Sequence, residues 1–100
     1  MDHKITQEKG QLVLHLSGQV TDADRGSFAT ILADIPRTGI SEIDVDLSQV
    51  RYIDSVGLGL LVTLRETAGE IGAPVTLSGA GSEIRAALEM AYFDRLFTIR

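Results

Sequence analysis

Cysteine and tryptophan are absent from this 100-residue chain, and without cysteine there is neither a disulfide framework nor a thiolate metal site. Histidine occurs only at His3 and His15, in unrelated places. Basic residues are few: nine Lys and Arg against fourteen Asp and Glu give a formal net charge of -5. They are scattered along the chain, so no basic stripe is available to neutralise a phosphate backbone, which argues against direct nucleic-acid binding. No apolar run approaches the roughly 18 residues that a membrane-spanning helix needs. The opening MDHKITQEKG also lacks an apolar targeting core, so no membrane insertion is expected and the expected location is cytoplasmic. What the chain does have is 44% hydrophobic residues, enough for one compact domain over residues 1–100 and too little for two separate cores.

The hydrophobic residues change period along the chain. In QLVLHLS, Leu12, Leu14 and Leu16 fall on one side of an extended segment and Gln11, Val13 and His15 on the other, which is the signature of a strand. A short partner strand is expected around His3 to Glu8, joined through a turn at Lys9-Gly10. Thr21 with Asp22 and Asp24 then gives a capping signal with acids in a first helical turn. Phe28, Ile31, Leu32 and Ile35 share one face of that first helix, and Pro36 closes it.

IDVDL, residues 43–47, alternates again and predicts a second core strand. Leu60, Leu61, Leu64, Ala68 and Ile71 follow at helical spacing, with Gly72 as a stop. PVTLSG, residues 74–79, predicts a third core strand with a proline in its first position, where a missing donor is tolerated. Ser82 is placed to cap a third helix carrying Ile84, Ala87, Leu88 and Ala91. The terminal LFTI, residues 96–99, reads as a last short strand or as a tail folded onto the sheet. Strands alternating with helices predict an α/β domain with parallel neighbours and an antiparallel leading hairpin. The expected architecture is a small mixed β-sheet of about four to five strands with helices packed against it.

Between the second core strand and the second helix lies YIDSVGLGL, residues 52–60. Its hydroxyl, Ser55, admits several readings. Serine before a helix is a preferred N-cap, worth about 1 kcal/mol. Nucleophilic catalysis needs a base in reach, and His15, the only plausible one, sits in a strand with no evident route to Ser55. Ile53 stands where a nucleophile elbow requires its first glycine. Gly57 and Gly59 at a helix start resemble an anion site, but a third spaced glycine or a Gly-Lys pair is missing. Covalent modification remains: a phosphate on Ser55 would be tolerated at a helix N-terminus. A partner seated there would have to desolvate it beside Asp54.

From Val45 to Ile99 the chain resembles STAS domains of the anti-sigma factor antagonist (anti-anti-sigma factor) family. The resemblance rests on VDLS, then Ile-Asp-Ser-Val-Gly-Leu-Gly, a helix, a strand after a glycine turn, a closing helix and a Leu-Phe tail; the upstream LHLSGQV extends it over essentially the whole chain. It implies the STAS fold and partner switching in transcription regulation. An unphosphorylated antagonist binds an anti-sigma factor that is also a GHKL-type serine kinase, the kinase phosphorylates the antagonist, and a PP2C-type serine phosphatase reverses it. Carried over by position, Ser55 is the phosphorylated residue and Asp54 the preceding acid. Val56, Gly57 and Leu58 complete the partner-binding loop, and Thr21 and Asp22 form the loop commonly found beside it.

The protein is then a ligand and a substrate rather than an enzyme, with no metal site and no cofactor. Two positions depart from the family pattern. Val56 stands where a second hydroxyl is often found, and Gly18-Gln19-Val20-Thr21 replaces a Gly-acid-hydrophobic-Asp run, which bears on partner identity. The competing expectation is a constitutive STAS subunit of a membrane transport assembly, as in lipid-transport ABC systems or anion transporters. Relatives of that kind often carry Thr or another residue in place of the serine. Asp54 has an alternative role accepting turn amides, Gly57 and Gly59 one in close packing, and Leu58 and Val62 lie off the main core stripe of the second helix.

Overall fold

Lys9 and Gly10 both adopt positive φ, 50° and 83°, the backbone of a two-residue hairpin turn whose twist matches that of the strands it joins. They connect β1 (Asp2–Glu8) to β2 (Gln11–Val20), paired antiparallel from Asp2 opposite Ser17 to Glu8 opposite Gln11. The computed structural model describes all residues, Met1–Arg100. A 3-10 turn at Asp22–Asp24 leads into α1 (Arg25–Ala33), followed by β3 (Glu42–Ile53), α2 (Ser55–Glu70), β4 (Val75–Ser78) and α3 (Ser82–Met90). A second 3-10 turn, Phe93–Arg95, precedes β5 (Thr98–Ile99). The tail therefore ends as a strand.

The five strands lie side by side in chain order, and every pair after the hairpin is parallel. Crossovers between parallel strands are right-handed, so an order that always advances the same way puts all three helices on one face. The burial pattern agrees. Leu12, Leu14 and Leu16 are buried; Leu12 and Leu14 register with Ile43 and Val45, which register in turn with Val75 and Leu77. Phe28 and Ile31 from α1, Leu61, Leu64 and Ala68 from α2 and Ile84 and Leu88 from α3 close the core over them. Leu60 and Ile71, expected in the core stripe of α2, are only half-buried at its margin.

The other face of the sheet carries polar side chains that satisfy one another. His15 Nδ1 and Asp46 Oδ2 are 2.9 Å apart, and the Ser78 hydroxyl donates to Asp44 Oδ1 at 2.8 Å. Asp46 Oδ1 accepts from the Ser48 amide at 2.9 Å. This last bond, with the Ser48 side chain, holds the Asp46 carboxyl below its ordinary 3.8 against the opposing effect of burial, with His15 assisting.

β3 runs well past the expected residues 43–47. Two register shifts against β2 each place an extra residue on β3, between the His15/Asp46 and Ser17/Gln49 pairs and between the Gly18/Val50 and Gln19/Tyr52 pairs. An inserted residue changes the inward spacing from two to three, and the buried positions become Leu47, Val50 and Ile53. The strand thereby stays in the core up to the residue before Asp54. Two capping expectations are corrected in the structure. Gly81, with φ -67° and ψ 170°, is the N-cap of α3 and Ser82 its first residue. Thr21 caps the 3-10 turn rather than α1 itself, accepting from the Ala23 amide.

Candidate functional site

The site is built where β2 and β3 end together. Val20 registers with Ile53, both are buried, and the next amide, Asp54 N, donates to Val20 O at 3.3 Å. Asp54 keeps an extended backbone, φ -100° and ψ -177°, while its carbonyl already accepts the first helical bond from Leu58 N at 2.9 Å. Its carboxylate Oδ1 accepts from the Gly57 amide at 2.7 Å. Asp54 is therefore the N-cap of α2, and the reading of Ser55 as the cap is corrected: a charged acceptor holds the first-turn amide that the serine hydroxyl would have served.

Ser55 is the first residue of α2, exposed, and its hydroxyl makes no hydrogen bond within the chain. His15 gives it no base. It faces the open side of the sheet beside Asp46, seven positions before Ile53 on β3, which is roughly 20 Å along a strand. Three surface concavities are present, and none includes Ser55. The largest, about 520 Å³, lies at the far end of α2 between Gly69, Pro74 and Phe97. No group of three or more potential ligands could hold a metal ion, and no helix is long and apolar enough to cross a membrane. The hydroxyl lies on an open surface with no base in hydrogen-bond reach.

Close packing, one of the roles read for Gly57, has a specific partner in the structure. A Cβ on it would fall 2.1 Å from Val20 O and 2.8 Å from Ile53 Cγ1, so the first turn of α2 rests directly on the end of β2. Gly59 has nothing within 4 Å of an added Cβ; close packing explains only the first glycine. Val56 and Leu58 are half-buried, as is Val62 one turn on from Leu58, and both Leu58 and Val62 lean against the core.

The Thr21 loop comes to the same place, because Val20 is hydrogen-bonded to Asp54. Thr21 N donates to Asp24 Oδ2 at 2.8 Å, and the Met1 amino group donates to Asp24 Oδ1 at 3.2 Å. Burial pushes the Asp24 carboxyl up, but these bonds outweigh it and hold the group below 3.8. Asp22 is exposed and pairs with Arg25. The structure thus unites Thr21 and Asp22 with Asp54, Ser55, Val56, Gly57 and Leu58. It adds two residues to which the sequence reading gave no role: Tyr52, 53% exposed, and Arg51, the extra residue of the second bulge. The signal available for them was the spacing of three from Val50 to Ile53, which leaves both outside the core.

Comparison with known proteins follows the same outline. The family model described as "Mlab, STAS domain" matches residues 3–98. A STAS-domain containing protein of Pseudomonas aeruginosa is 40% identical over 55 residues, covering 55% of this chain and 54% of that protein. The match thus spans about half the length of that relative. Among solved structures, an anti-sigma factor antagonist candidate from Thermotoga maritima superposes with a TM-score of 0.85 at 19% identity, covering 97% of this chain and 84% of that one. The anti-sigma factor antagonist SpoIIAA in its unphosphorylated form gives 0.68 at 16% identity, over 95% and 97%. The STAS domain of a SulP transporter from Vibrio cholerae gives 0.75 at 22%, over 95% and 77%. With the sheet order, the one-sided helices and a family match along nearly the whole length, the chain belongs to the STAS domain family.

Proposed function

We propose that this chain is a phosphorylation-switched anti-sigma factor antagonist: its unphosphorylated form binds an anti-sigma factor that is also a GHKL-type serine kinase and so releases that factor's target. Phosphorylation of Ser55 ends the interaction and a PP2C-type phosphatase restores it. The observation that carries this reading is the free hydroxyl of Ser55, left without a partner because Asp54 takes the capping role. A serine needed for the fold would be bonded; this one is presented. In this reading the chain is a substrate and a ligand, not an enzyme. SpoIIAA, a protein of the same fold, has been solved both unphosphorylated and phosphorylated.

A phosphate on Ser55 adds nearly two negative charges in the first turn of α2, where unpaired amides and the helix dipole favour them. The same charges beside Asp54 oppose a partner that must desolvate them. The test is calorimetric titration of a GHKL-type kinase with wild-type protein, Ser55→Ala and Ser55→Asp. Loss of binding in Ser55→Asp alone is expected; equal affinity of all three sinks the reading. Intact-mass spectrometry of the protein from its own cells, with and without phosphatase, checks the modification directly.

A second reading, a constitutive STAS subunit of a membrane transport assembly, draws support from the "Mlab" description of the family model and from the likeness to the SulP domain. It expects stable co-purification with an ATPase or transporter subunit and no phosphate on Ser55.

A further inference from the structure

The end of α2 remote from Ser55, roughly 20 Å away along the helix, borders the groove of about 520 Å³ that also takes in the start of β4 and the segment leading into β5. Its floor is apolar: Ala73, Val75 and Phe97 are buried core residues that line it, and Leu96, 38% exposed, stands at its rim. Gly69 is the helix residue over this space, and nothing lies within 4 Å of a Cβ built on it. Glycine is a poor helix former, and unlike Gly57 this one has no neighbour that requires it. The effect of its missing side chain is to leave the groove open.

Two guanidinium groups, those of Arg65 and Arg95, line the same groove. Each is held by its own chain at a point that leaves donors free. Arg65 Nε donates to Leu96 O at 2.7 Å, and the central guanidinium carbon of Arg95 lies 5.2 Å from the centroid of the Tyr92 ring. Arg25, Arg37 and Arg85 pair with Asp22, Glu70 and Glu89, but neither groove arginine has a carboxylate partner, although acids outnumber bases fourteen to nine along the chain. Glu66 lines the groove as well, unpaired with either arginine, and the lining keeps a net positive charge. The carbonyls that end α2 do not compete for the arginines: Ala68 O accepts from the Ile71 and Ala73 amides, and Gly69 O from the Gly72 amide.

We infer that this groove binds a small organic anion, a carboxylate or phosphate monoester carried on an apolar body, with the head against Arg65 and Arg95 and the body along Ala73, Val75 and Phe97. Free guanidinium N–H groups match the oxygens of both heads. A concave volume of this size, with an apolar lining and a few charged groups, is typical of small-ligand sites. A purely ionic ligand would leave the floor in water, and a purely apolar one would leave both cations unmatched. The site is separate from Ser55 and does not depend on how that residue is used.

The test is a heteronuclear NMR titration of the full chain with octanoate and octyl phosphate, set against octanol and acetate. One or both octyl anions should shift the amides of Gly69, Ala73, Val75 and residues 96–98 saturably, with octanol and acetate about tenfold weaker or more; the tighter anion identifies the head group. Gly69→Leu fills the groove with a better helix former, so binding should fall about tenfold or more with no fall in Tm. Arg95→Gln should weaken binding likewise, and Glu66→Gln should tighten it. Octanol or acetate binding as tightly as the octyl anions, unchanged affinity in Gly69→Leu, or no saturable shift at these amides with either anion overturns the inference.

Discussion

The carbonyl oxygen of Val20 occupies the space where a side chain at Gly57 would begin: a Cβ built there lies 2.1 Å from it. The obstructing atom is main chain, fixed by the β2–β3 ladder and by the Asp54 amide, so no rotamer change can relieve the clash. The glycine lets α2 start against the end of the sheet, and that start holds Ser55 at its edge.

Gly57→Ala must therefore shift α2 or strain β2. Overpacking of this kind costs about 1–3 kcal/mol or more, a fall in Tm of roughly 10 °C for a domain this small. Gly59→Ala, with open space around its Cβ, should instead gain up to about 1 kcal/mol from helix propensity. Paired thermal melts check both, and equal effects at the two glycines would contradict the packing argument.

Asp54→Ala removes the acceptor for the Gly57 amide and should destabilise the domain by about 1 kcal/mol, with Asp54→Asn retaining most of the stability. Urea titrations measure this. A loss under a few tenths of a kcal/mol would show that Ser55 can take over the cap.

Ser55→Asp places a negative charge in the first turn of α2, which the helix dipole favours by about 0.3–1 kcal/mol. Its Tm should match or slightly exceed that of wild type, whereas the proposed function expects the same variant to lose partner binding. A marked fall in Tm would mean that the switch acts by loosening the fold.

Asp24 and Asp46 both have folded-state pKa values below 3.8. A depressed carboxyl stabilises the fold fully above the unfolded value, and that contribution disappears as pH falls through the folded one. Stability should therefore hold above about pH 4 and decline below it. Asp46→Asn should flatten the decline, since it removes one of the two titrating groups, and denaturant midpoints at stepped pH from neutral to acid give the comparison.

The sequence by itself determined the order of elements, their hydrophobic faces and the position of Ser55 at a strand-to-helix junction. These are local properties: a period of two in Leu12 to Leu16, a helical period in Leu61, Leu64 and Ala68, and turn chemistry at Lys9-Gly10 each lie within a few neighbouring residues. Tertiary structure alone decided what depends on groups distant in sequence. Val20 and Gly57 are separated by a helix and a strand, so only their meeting in space distinguishes Gly57 from Gly59. The cap went to Asp54 because its amide is anchored to Val20, which turns the carboxylate toward Gly57 and leaves Ser55 free. Likewise the length of β3 follows from bulges against β2, for strand pairing joins distant segments whose register no local pattern encodes.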